Sequence, residues 1–120
     1  MPFVLTRRYG FTARHFLPTA PAEHPSSRMH PHDFRVELVV SGDVDPNTGW
    51  VIDYGEIDRR FEPLLSQMRD AVLNEIPGLD CPSSENLARF IFDRMKPEIP
   101  LLDEVRVGET PDDQAAYRAG

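Results

Sequence analysis

Between Phe3 and Val40 the chain carries two runs of two-residue alternation, and this repeat limits its fold more than any other feature. In the first run Phe3, Leu5, Tyr9, Phe11, Ala13 and His15 share one parity, with Arg7 as the exception. In the second, His30, His32, Phe34, Val36, Leu38 and Val40 do the same. Successive strand side chains point to opposite faces, so each run predicts a half-buried strand with one apolar face. Both apolar rows include histidine at one end: His15 closes the first, and His30 and His32 open the second. Gly10, on the opposite parity within the first run, is expected to mark a bulge.

The period then changes. After the turn SGDVDPNTG, the residues Ile57, Phe61, Leu64, Leu65, Met68 and Val72 recur at helical spacing, with Pro63 inside the pattern predicting a kink or a late start. A second helix is announced by Pro82-Ser83-Ser84-Glu85-Asn86, with a serine cap and Glu85 in the first turn, and continues through Leu87, Ala88, Phe90, Ile91 and Met95 until Pro97 stops it. Residues 101–110 read as a third strand and Ala115 to Tyr117 as a short fourth. The order is ββααββ. Strands grouped before and after helices, rather than alternating with them, predict an antiparallel α+β domain.

A chain of 120 residues is expected to form one domain, residues 1–120, small enough for oligomerisation to be a common way of burying more surface. Its net charge of -7 disfavours nucleic acid and anionic membranes as partners. With Cys81 alone there is no internal disulfide, and the N-terminal MPFVLTRRYGF lacks the apolar run of a signal peptide or spanning helix, so a cytoplasmic location is expected.

Histidines two apart on a strand can face one cation, and a third from a neighbouring strand completes the three-histidine set of a catalytic zinc with one position open. His15, His30 and His32 are the candidates. The alternative is a set of strand-end histidines bonded to backbone carbonyls or water. His24 is a fourth histidine, but its place between prolines reads as a surface or supporting position.

Several motifs now stand in order: Phe11-Thr12-Ala13-Arg14-His15, His30-Pro31-His32, Gly49-Trp50-Val51-Ile52-Asp53-Tyr54, Leu73-Asn74, Pro82-Ser83-Ser84-Glu85-Asn86-Leu87-Ala88 and Glu109-Thr110. Together they resemble the 6-pyruvoyltetrahydropterin synthase and 6-carboxytetrahydropterin synthase family nearly end to end, nearest its bacterial 6-carboxy branch. The resemblance implies a tunnelling fold: a four-stranded antiparallel sheet with two helices on one face, assembled into hexamers or tetramers with active sites between subunits. It implies Zn2+ on His15, His30 and His32, and Glu109 gripping the guanidine-like edge of a pterin, where a carboxylate accepts two parallel hydrogen bonds. Ser83 and Ser84 match the family's pterin-contacting pair, beside their simpler role as helix caps.

The acid–base residues depart from the family pattern. Ser26 stands where a cysteine is usual, four residues before His30, and Arg69 and Asp70 occupy the places of an aspartate and a histidine. A cysteine of pKa about 8.5 can be made a thiolate base by a neighbour, whereas a serine hydroxyl is a poor acid that needs a strong adjacent base to act, and Asp70, near 3.9 against about 6.5 for histidine, is a weaker base. Arg69 beside Asp70 would lower it further if their side chains met. Cys81 reads as a buried structural cysteine, or else as a substitute thiol. Three readings follow. The first is a zinc lyase or isomerase with altered chemistry on a pterin-like or other heterocycle, using Asp70, Ser26 and Arg69, with His24, Ser83, Ser84 and Glu109 binding substrate. The second is an inactive zinc- and pterin-binding paralogue. The third is the ordinary reaction on dihydroneopterin triphosphate.

Overall fold

The two alternating runs lie side by side as antiparallel strands β1, Phe3–His15, and β2, His30–Gly42. The computed structural model describes residues 2–119. Two further strands, β3 (Leu102–Gly108) and β4 (Ala115–Tyr117), complete a four-stranded sheet in the order β1-β2-β3-β4, antiparallel throughout. Helices α1 (Tyr54–Met68) and α2 (Ser84–Met95) come between β2 and β3 in sequence. The α+β class and the element order thus agree with the sequence pattern.

Parity decides which residues enter the core. Phe11 and Ala13 of β1, Phe34, Val36, Leu38 and Val40 of β2, and Val105 and Val107 of β3 are buried. Ile57, Phe61, Leu64 and Met68 of α1, with Leu87, Ala88 and Ile91 of α2, join them in one cluster. Each fully buried side chain of this kind contributes about 1.5–3 kcal/mol, so the sheet face beneath the helices is a firm platform. The other face carries charge: Glu37 accepts from Arg8 at 2.8 Å and from Arg106 at 3.2 Å, and Arg118 reaches Glu104 at 2.7 Å.

Four local expectations need correction. Gly10 pairs with Arg35 in unbroken register; the irregularity falls between Val39 and Val40, where β2 meets β3. Helix α1 starts at Tyr54, capped by the Asp53 carboxylate on the Gly55 N–H, so Pro63 does not delay it. The helix also ends before Val72: Asp70 adopts a left-handed φ of 58° and turns the chain, a conformation that aspartate tolerates better than most residues. The third strand is shorter than residues 101–110 at both ends.

After that turn the chain runs along the outer edge of β1. Asp70 N–H donates to the Thr12 carbonyl at 2.7 Å, Arg14 N–H donates to the Ala71 carbonyl at 2.9 Å, and Val72 bridges Arg14 in parallel. Backbone groups beside His15 are therefore satisfied, as a buried strand end requires. Among the described residues no helix is long and apolar enough to cross a membrane.

Candidate functional site

Register brings the histidines together. His15 lies opposite His30 in the β1–β2 ladder, and His32 is two residues further along the same face of β2. One ligand atom from each lies within 4.8 Å of the other two. The rings stand edge to face, with centroids 4.5 Å apart for His15 and His30, 4.8 Å for His30 and His32, and 5.1 Å for His15 and His32. Phe34 forms their floor, its ring centroid 5.2 Å from that of His15 and 5.5 Å from that of His32. The site is the last layer of the hydrophobic core.

The tautomers follow from the neighbours. His15 Nδ1 is 2.7 Å from the Pro82 carbonyl, and His30 Nδ1 is 2.6 Å from the Arg28 carbonyl. A carbonyl only accepts, so both Nδ1 atoms carry hydrogen and each Nε2 is free to offer a lone pair. His15 is fully buried, and its Nε2 has no hydrogen-bond partner among the described residues. Such an orphan is costly unless something occupies the space in front of it. Burial lowers the His15 pKa, outweighing the Pro82 carbonyl and Glu109 carboxylate, which raise it. The neutral ring is the metal-binding form, so the donor set fits a divalent cation such as zinc.

Glu109 also faces this cluster. Its Oε2 is 3.2 Å from His15 Nε2 and 3.5 Å from His32 Nε2. The loop after β3 that carries it is fixed by Asp113, whose Oδ1 accepts from the Glu109 N–H at 2.8 Å and whose Oδ2 accepts from the Thr110 hydroxyl at 2.6 Å. Those bonds, the Thr110 hydroxyl first, hold the Asp113 carboxyl below its ordinary pKa. Gly108 makes the approach sterically feasible, because a Cβ there would lie 2.5 Å from the Asp113 carbonyl oxygen. Ser84 shares with Glu109, Asp113 and Gln114 an open cleft of about 320 Å³. Ser83 caps α2, its hydroxyl accepting from the Asn86 N–H at 3.2 Å.

Of the remaining predicted residues, Arg69 and Asp70 face another part of the surface, while the Ser26 carbonyl accepts from the Leu17 N–H at 2.7 Å, two residues beyond His15. Arg69 and Asp70 line a separate cleft of about 500 Å³ with Thr12, Asp33 and Arg35. Asp70 pairs beside Thr12, three residues before His15 on β1, which is about 10 Å of strand. Among the described residues Arg69 forms no ion pair with Asp70; it pairs with Glu62 at 3.3 Å. Ser26 lies in the 3-10 turn Pro25–Ser27, and exposed His24 caps that turn, its Nδ1 accepting from the Ser26 N–H at 3.1 Å. Cys81 is half-buried rather than buried, with Sγ 3.5 Å from the Thr19 hydroxyl.

Asn74, which the sequence marks only as part of the Leu73-Asn74 motif, is a positioning residue for the site. It clamps the backbone just after His15: its Oδ1 accepts from the Phe16 N–H at 3.0 Å and its Nδ2 donates to the Phe16 carbonyl at 2.8 Å.

The family model for 6-pyruvoyl tetrahydropterin synthase matches residues 4–120. The chain belongs to that family. Among relatives, the 6-carboxy-5,6,7,8-tetrahydropterin synthase of Synechocystis is 31% identical over 96% of this chain and 92% of its own length. The 6-pyruvoyl tetrahydrobiopterin synthase of Drosophila melanogaster is also 31% identical, over 95% and 78%. A dihydroneopterin monophosphate aldolase from Pyrococcus furiosus matches at 29% over 60% of each chain. In three dimensions, Caenorhabditis elegans 6-pyruvoyl tetrahydropterin synthase superposes with a TM-score of 0.91 over 100% of this chain and 97% of that one, at 22% identity. The synthase family therefore accounts for both the tunnelling fold and the order of its elements.

Proposed function

We propose that this family member is a zinc-dependent lyase or isomerase acting on a pterin-like or other small heterocycle, with an acid–base set different from that of its relatives. The observation that carries this reading is the buried, partnerless Nε2 of His15 converging with His30 and His32 beside Glu109. Zinc held there supplies a Lewis acid for a carbonyl or hydroxyl of the substrate. Relatives named for two synthases and an aldolase support the idea that one scaffold serves several pterin reactions.

This chain's own residues do the rest. Glu109 grips the ring edge that offers adjacent N–H groups, with Ser83 and Ser84 at the start of α2 closing that side, and Phe34 keeps the floor dry. Asp70, with Ser26 and Arg69, takes the proton-transfer role. Within one chain Asp70 faces a different cleft, so its contribution requires a neighbouring subunit. A homo-oligomer, hexameric or tetrameric, is the corresponding assembly. It is supported by the edge of β1 opposite β2, along which Val72 is the only bridge found among the described residues, and by the exposed Phe3, Val4, Trp50 and Tyr54 near its start.

A second reading, an inactive zinc- and pterin-binding paralogue, is favoured by the replacements at Ser26, Arg69 and Asp70. Product analysis after incubation with dihydroneopterin triphosphate, with zinc content measured on protein purified without chelator, separates them. Zinc near one ion per chain with a new pterin product supports the first reading, and zinc with no turnover of this or related pterins supports the second. Conversion to the ordinary 6-carboxytetrahydropterin product would overturn both in favour of the ordinary family reaction. Only traces of zinc would overturn all of these.

A further inference from the structure

Glu109 stands in an unusual relation to the histidines. Its Oε2 is 3.2 Å from His15 Nε2, yet the pair lacks hydrogen-bond geometry, and the same oxygen is 3.5 Å from His32 Nε2. A carboxylate oxygen and the lone pair of an Nδ1-protonated imidazole repel each other unless a cation lies between them. Two ligands on one tetrahedral zinc, with bonds of about 2.0–2.2 Å, are themselves about 3.3–3.5 Å apart. The Glu109 distances to two separate histidines fall at that spacing. We propose that Glu109 is the fourth ligand of the ion held by His15, His30 and His32 in the ligand-free protein, closing the position that a catalytic site needs open.

The inference rests on reading the three histidines as metal ligands. It fits the way the loop behind Glu109 is hydrogen-bonded: Asp113 accepts from its backbone N–H and from the Thr110 hydroxyl, while the carboxylate, still 28% exposed, keeps room to rotate. One Oε2 cannot bond the ion and grip a ring edge together. Opening the metal position and holding a heterocycle therefore become the same side-chain movement.

Cobalt(II) loaded into metal-free protein provides the test, since its visible bands are intense in four-coordinate sites and weaken as coordination rises. Wild type, Glu109→Gln and Glu109→Asp are compared by spectrum and by competition with a chelator, with thermal unfolding of the metal-free forms as a folding control. Glu109→Gln keeps the shape but loses the anionic oxygen, and Glu109→Asp keeps the charge but falls short. The expected result is a changed spectrum and a metal affinity lower by roughly 10- to 100-fold in both variants, the scale typical when support of a metal site is removed. A loaded wild type whose spectrum and affinity are matched by both variants overturns the fourth-ligand role alone. A wild type that binds no cobalt overturns the histidine site, and this inference with it.

Discussion

The Pro82 carbonyl accepts from His15 Nδ1 at 2.7 Å, across 67 positions of sequence. This bond fixes which nitrogen of a fully buried imidazole points into the site. Because Pro82 also precedes the Ser83 cap of α2, the start of that helix and the orientation of a metal ligand are mechanically joined.

Ser83→Ala should therefore show two effects. Loss of the cap should cost about 1 kcal/mol, read as a lower urea midpoint with an unchanged slope. Metal affinity should fall modestly as well, by competition with a chelator. A stability loss with wild-type metal affinity would show that the two functions are separable.

Asn74→Ala removes both bonds to the Phe16 backbone. Leaving partly buried amide groups unpaired should cost about 1–3 kcal/mol in urea unfolding, and a looser His15 should weaken metal binding roughly 10-fold or more. Full affinity in this variant would mean that the Pro82 carbonyl orients His15 without help.

Gly108→Ala places a Cβ against the Asp113 carbonyl, with no flexible side-chain end to give way. A cost of about 1–3 kcal/mol is expected, together with a displaced Glu109 loop, visible in a crystal structure or as loss of ligand-induced thermal shift. Unchanged stability and ligand response would show that the loop adjusts freely.

Acid should loosen the Arg7–Tyr9–Asp58 cluster. The Arg7 guanidinium, then the Tyr9 hydroxyl, at 2.8 Å and 2.6 Å, hold the Asp58 carboxyl below its ordinary value. A depressed carboxylate stabilises the fold above the unfolded-state pKa of about 4, and that contribution fades as pH falls through the lower folded value. Asp58→Asn should thus be less stable than wild type at pH 7, and the gap should narrow toward pH 3. Half-exposed partners limit it to no more than about 1 kcal/mol. A gap that is constant with pH would exclude the ionic origin.

The triple change Ser26→Cys, Arg69→Asp, Asp70→His should restore measurable turnover of dihydroneopterin triphosphate. Histidine, like aspartate, tolerates the left-handed φ at position 70, so the turn should survive the exchange. Asp70→Asn, equally tolerated there, should abolish whatever native activity is found; full activity would remove Asp70 as the base.

Sequence alone determined the faces. Side-chain parity along a strand is a property of the local backbone, so Phe34, Val36 and Leu38 had to point with His30 and His32, and Ala13 with His15. The Ser83 cap and the order ββααββ were legible for the same reason, since each depends on neighbours a few residues away. Where one helix stopped was less legible, because Val72 keeps the apolar period while Asp70 breaks the backbone. Only the tertiary structure set His15 opposite His30, brought the Pro82 carbonyl and Glu109 to the same imidazole, and turned Asp70 toward another cleft. Those relations join residues tens of positions apart, and their distances come from how the sheet, α2 and the Glu109 loop pack, which no local period encodes.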